Sequence, residues 1–142
     1  MKRIQEHNGI CYVRLKRWRP IHNNYKVYHD YTVQIPITGW NIDTEFVKLT
    51  PDGQLTLKKG FKSDGPSGVT IDTKTFMRGA LVHDGLYYLL REGFLPPYEK
   101  LTADVIIRKI CLCDGMCKIR AAYVYFMLNL FAGFAALPEE TI

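Results

Sequence analysis

Apolar and polar residues alternate through the first half of the chain, and longer apolar runs bounded by glycine and proline fill the second. From Cys11 to Lys16, Cys11, Val13 and Leu15 fall on one side and Tyr12, Arg14 and Lys16 on the other. Tyr25 to Ile35 alternates without a break. Tyr25, Val27, His29, Tyr31, Val33 and Ile35 share one face, and Lys26, Tyr28, Asp30, Thr32 and Gln34 share the other. A period of two predicts half-buried antiparallel strands, the second limited by Pro36. Phe46–Thr50 and Gln54–Lys58 flank Pro51-Asp52-Gly53. Proline presets φ and glycine supplies a positive φ, so this segment predicts a hairpin.

The second half predicts three helices. Met77–Arg91 is stopped by Gly93 and Pro96-Pro97. A second helix runs from Tyr98 or Glu99 to about Cys113 and is broken by Asp114-Gly115. A third runs from Lys118 to about Leu137, before Pro138. The Gly93–Pro97 connection is short, so the first two helices should pack as an antiparallel pair. The expected fold is α+β: N-terminal antiparallel strands and a hairpin, then a helical C-terminal half. One domain is expected over residues 1–142, β-rich in 1–64, with a loop and helices in 65–137. Between Ala121 and Leu137 the one strongly polar residue is Asn129. Such a run is at the lower edge of what spans a bilayer, and Lys118 and Arg120 are its only positive flank. A buried core helix is therefore expected rather than membrane contact or a span.

Composition supports a folded chain. With 47% apolar and 23% charged residues in 142, a disordered or collagen-like polymer is excluded. The net charge of +5 is uneven: residues 1–60 hold ten Lys/Arg against five Asp/Glu, and residues 61–142 hold nine of each. Arg14, Lys16, Arg17 and Arg19 flank Trp18 and form the densest basic cluster. Such a patch suits phosphates or anionic lipid, and equally serves as a solvated face. Met1-Lys2-Arg3 is basic, but Gln5, Glu6, His7 and Asn8 interrupt any apolar run, so no secretory signal is expected. The four cysteines are then expected to be thiols.

The residues with candidate chemistry lie between Gly60 and Asp104. Gly65-Pro66-Ser67-Gly68 forms a tight loop, followed by His83-Asp84 and Tyr87 on a predicted helix and Asp104 on the next. His83 and Tyr87, four apart, share a helix face, and Asp84 is turned about 100° from His83. Antiparallel packing brings Asp104 beside His83 and Tyr87. A carboxylate bonded to one imidazole nitrogen fixes the tautomer, and the other nitrogen can then deprotonate a water. Asp84 with loop carbonyls from Gly65 to Gly68 is the oxygen-rich donor set that a hard cation such as calcium takes. The alternative is a purely structural one: a helix cap with a core histidine, and Asp104 paired with Arg108, Arg78 or Arg91.

These residues resemble the phospholipase A2 pattern, most closely the compact, disulfide-free type of parvovirus capsid proteins, with its Gly-Pro-Gly loop, His-Asp-x-x-Tyr and later Asp. The resemblance implies His83 as general base, Asp84 with the Gly65, Ser67 and Gly68 region as calcium site, Asp104 as the group orienting His83, and Tyr87 as its support. It departs at Leu86, where secreted phospholipases carry cysteine, and at Ser67-Gly68, where the parvoviral loop has Gly-Asn. A broader resemblance covers nearly the whole chain. Gly60-Phe61-x-x-Asp64-Gly65-x-Ser67-Gly68, Leu81-Val82-His83-Asp84-x-Leu86-Tyr87, Arg91 and Ala103-Asp104 look like a domain-of-unknown-function family of tailed phages and prophages. It implies a phage-related protein, located in the virion or the host cytoplasm. The partners expected are a phospholipid membrane or phage structural proteins, not nucleic acid.

Two metal readings compete. A metal phosphohydrolase needs a further helical histidine, and His7, His22 and His29 lie on no predicted helix. Cys111-x-Cys113-x-x-x-Cys117 is poorly spaced for structural zinc, so core thiols are expected.

Overall fold

In a computed structural model of the chain, residues 4–15, 25–63 and 74–131 are described. The chain divides into two compact units, Met1–Gly65 and Pro66–Ile142. The described residues have the expected α+β fold, with strands in the first unit and helices in the second.

The first unit contains two antiparallel sheets. One joins β1 (Ile4–His7), β2 (Ile10–Arg14), β3 (Tyr25–Val27) and β8 (Lys62–Ser63) in the order β1-β2-β3-β8. The other joins β4 (Tyr31–Gln34), β5 (Ile42–Asp43), β6 (Val47–Leu49) and β7 (Gln54–Leu57) in the order β4-β7-β6-β5. The β6–β7 hairpin forms at Pro51-Asp52-Gly53 as expected, with Leu49 opposite Leu55. A second hairpin lies outside the sequence expectations: Asn8 and Gly9, both with positive φ, join β1 to β2. Asn-Gly is the strongest two-residue signal for such a turn.

Two strand expectations need correction. Tyr25–Ile35 is not one strand. It breaks at Tyr28–Asp30, and β3 and β4 belong to different sheets. Val27 exchanges backbone hydrogen bonds with Phe61 and Gly60, whereas Tyr31 pairs with Leu57. Asp30 Oδ1 accepts a bond from the Lys59 amide at 2.7 Å, which ties the two crossing segments together. The alternation runs on through the crossing, so periodicity cannot reveal it. In β2, Tyr12 and Val13 are both buried although they point to opposite faces, so the strand is covered on both sides.

The second unit is an array of three helices, α1 (Lys74–Arg91), α2 (Lys100–Cys113) and α3 (Lys118–Phe131), with a 3-10 turn at Pro97–Glu99. α1 begins three residues before the expected Met77. Its C-terminus is a Schellman motif: Phe94 N–H bonds Leu89 O, Gly93 N–H bonds Leu90 O, and Gly93 has φ 78°. α2 ends the same way, with Met116 on Cys111 O, Gly115 on Leu112 O and Gly115 at φ 98°. Met116 then enters a core of Phe76, Ala80, Ile107, Cys111, Ala121 and Val124.

α1 and α2 are antiparallel and very close. They are close-packed at Gly79, where a Cβ would stand 2.8 Å from Cys111 Sγ and 3.2 Å from Ile107 Cγ1. Arg78 clasps Asp114 with two hydrogen bonds, of 3.0 and 2.9 Å.

α3 departs from a buried core helix. Ala121 and Val124 are buried and Leu128 packs on the same core, but Ile119, Tyr123 and Phe126 are exposed. Residues 132–137 of the expected helix lie outside the described residues. Among the described residues, no helix is long and apolar enough to cross a membrane.

Candidate functional site

His83, Tyr87 and Asp104 meet between α1 and α2. The one-turn spacing of His83 and Tyr87 brings their rings together, with centroids 4.0 Å apart and planes tilted by 41°. Gly79, one turn before His83, lets the α2 backbone come near enough for Asp104 to meet both. His83 Nε2 lies 2.7 Å from Asp104 Oδ1, and the Tyr87 hydroxyl donates to the same oxygen at 2.7 Å. An ionised Asp104 can only accept, so Nε2 carries the hydrogen and Nδ1 is left as the basic nitrogen. No other hydrogen bond to the His83 ring is formed among the described residues.

Two further members are Lys100 and Asn129. Lys100 Nζ bonds Asp104 Oδ2 at 2.9 Å and Asn129 Oδ1 at 3.3 Å. Asn129 Nδ2 in turn donates to Tyr125 O at 3.1 Å. The structure thus corrects the ion-pair alternatives for Asp104: its cation is Lys100, while Arg78 holds Asp114, Arg108 lies over the Tyr125 ring at 5.7 Å, and Arg91 is exposed. The sequence carries the signal for Lys100 as an i,i+4 Lys–Asp pair on one helix. Asn129 is accounted for as the one strongly polar residue of the apolar run that begins at Ala121.

The cluster is enclosed: His83 is 3% and Asp104 0% exposed. Burial works to raise the Asp104 pKa, but hydrogen bonds from His83, Lys100 and Tyr87 outweigh it and hold the carboxyl below its ordinary range. Burial, with the bond to Asp104 and the charge of Asp84, pushes the Tyr87 phenol far up, so it remains a donor. Asp84 is half-buried on the next position of α1. His83-Asp84 lies within the helix, not at its start, so it is not a cap.

The remaining expected site residues are placed as follows. Gly65, Ser67 and Gly68 lie outside the described residues, as do Lys16, Arg17 and Arg19. Arg14 is exposed at the end of β2. Among the described residues no three His, Cys, Asp or Glu side chains gather as a metal site. Cys111 is the core thiol, while Cys113 and Cys117 are exposed and Cys11 is half-buried. Comparison of the chain with protein-family models, with curated proteins and with solved structures finds no match.

Proposed function

We propose that the helical unit is a phospholipase A2-like lipid ester hydrolase of a phage-related protein, with His83 as general base. The observation that carries this reading is the 2.7 Å bond between His83 Nε2 and Asp104 Oδ1. It directs Nδ1 toward proton abstraction from a water that attacks the ester carbonyl. Asp104 stabilises the imidazolium that forms, and Nδ1–H then returns the proton to the leaving alkoxide. Tyr87 and Lys100 fix the Asp104 carboxylate and keep it ionised. Asp84 is the described carboxylate that would hold calcium, joined by carbonyls of Gly65, Ser67 and Gly68. A bound calcium would supply stabilisation of the developing oxyanion.

The enclosure of His83 and Asp104 favours a second reading. In it, the cluster is a buried polar network that fixes the helices of a virion or accessory protein, with no catalysis. The test is phospholipid hydrolysis in mixed micelles with calcium, with chelator, and with His83→Gln, beside a thermal melt of each protein. The hydrolase reading expects calcium-dependent activity that His83→Gln abolishes while the fold is kept. Absence of activity in the unsubstituted chain, or equal activity in all three conditions, supports the structural network instead.

A further inference from the structure

α3 is apolar on two opposite sides. At about 100° per residue, Ala121, Val124 and Leu128 form one stripe, and Ile119, Tyr123 and Phe126 form another on the far side. The first stripe packs on the core. The second faces outward, with Ile119 84%, Tyr123 49% and Phe126 59% exposed. Three large apolar side chains gathered on one exposed helix face mark an interaction surface rather than scattered exposure.

Charge narrows the occupant. α3 contains no acidic residue. The one acid of α2, Asp104, is buried against Lys100, and Asp114 beyond it is held by Arg78. The exposed cations beside the stripe are Lys118, next to Ile119, and Arg108, whose guanidinium lies over the Tyr125 ring next to Phe126. An apolar, aromatic face flanked by cations, with no acidic residue on the same helix, suits contact with an anionic lipid surface.

We propose that the Ile119–Tyr123–Phe126 face of α3 docks on an anionic phospholipid surface. The choice of lipid over protein rests in part on the hydrolase reading, and the proposal adds to it the place where the helical unit meets its substrate surface.

The test is co-sedimentation of the full chain with vesicles of non-hydrolysable ether lipids, so that catalysis does not enter the result. Phosphatidylglycerol-rich vesicles are expected to bind about tenfold or more tightly than phosphatidylcholine vesicles, and added salt should weaken the difference. Combined Ile119→Ser, Tyr123→Ser and Phe126→Ser should weaken binding by about tenfold or more, with helicity by circular dichroism unchanged. Neutralising Arg14, Lys16, Arg17 and Arg19 should leave most of the binding in place. As a milder probe, the extra fluorescence of Phe126→Trp, relative to the unsubstituted chain, should shift to the blue on vesicle addition. No vesicle binding, binding untouched by the serine substitutions, or an unshifted signal from the Phe126→Trp variant would each overturn the proposal. So would lipid-free self-association that the serine substitutions abolish. Binding through this face without hydrolysis in the micelle assay leaves the docking standing and removes the hydrolase reading. Hydrolysis without binding through this face does the reverse.

Discussion

Lys100 Nζ lies 2.9 Å from Asp104 Oδ2, so the carboxylate that holds His83 is balanced by a cation one helical turn before it. His83 and Tyr87 occupy the other oxygen, and each side of the carboxylate has its own donors.

Lys100→Met removes the cation and leaves a buried oxygen without its charged donor. The expected cost is about 2–3 kcal/mol, read as a lower urea midpoint at unchanged slope. The same change placed on Asp104→Asn should cost less than on the native chain, because the two groups act on one another.

Asp104 also shapes the acid limb of stability. Its folded pKa is held below the ordinary 3.8, so across the interval between the two values the unfolded chain binds more protons than the folded one. Its contribution is complete above about pH 4 and is lost as pH falls through the folded value. Asp104→Asn should therefore lower stability at neutral pH and flatten the loss below about pH 4, measured by denaturant melts across acid pH.

Tyr87 acts at the other end of the scale. Its folded pKa is raised, so its contribution is present below the ordinary value of 10.0 and is lost as pH rises above it. Tyr87→Phe should remove that alkaline limb and cost about 1–2 kcal/mol at neutral pH, because Asp104 loses one buried donor. Melts between neutral and strongly alkaline pH check both effects.

Local signals make much of this fold legible. Gly93 and Asp114-Gly115 stop helices where glycine at a C-terminus should, and Pro51-Asp52-Gly53 makes its turn. The i,i+4 spacing of His83 and Tyr87, with a short connection to α2, is enough to anticipate that Asp104 meets them. What stays hidden depends on distant partners. The Tyr28–Asp30 crossing preserves a period of two while the pairing changes from Phe61 to Leu57. The enclosure of His83 depends on how closely two helices approach, and that is set by Gly79, whose role no spacing rule exposes.

Gly79→Ala tests that approach. Alanine is the better helix former by about 1 kcal/mol, yet its Cβ would meet Cys111 Sγ at 2.8 Å and Ile107 O at 3.4 Å. A net loss of about 1–3 kcal/mol is expected in urea melts. Adding Cys111→Ala should recover part of it by removing the nearest atom.

The thiols should react unequally. Burial pushes Cys111 up to about 12, while Cys113 and Cys117 are exposed. Iodoacetamide at mildly alkaline pH should label Cys113 and Cys117 in the folded chain and reach Cys111 only after denaturation, as read by peptide mass spectrometry.

The position of α2 between its two neighbours has a dynamic consequence. α1 closes on it through Gly79, Ile107 and Cys111, and α3 through Ala121, Val124 and the Asn129–Lys100 bond. Peeling away either neighbour admits water to the carboxylate cluster and weakens the hold of the other. The amides of α2 should therefore exchange with deuterium only when the whole helical array opens, so this central helix reports the cooperativity of the entire unit.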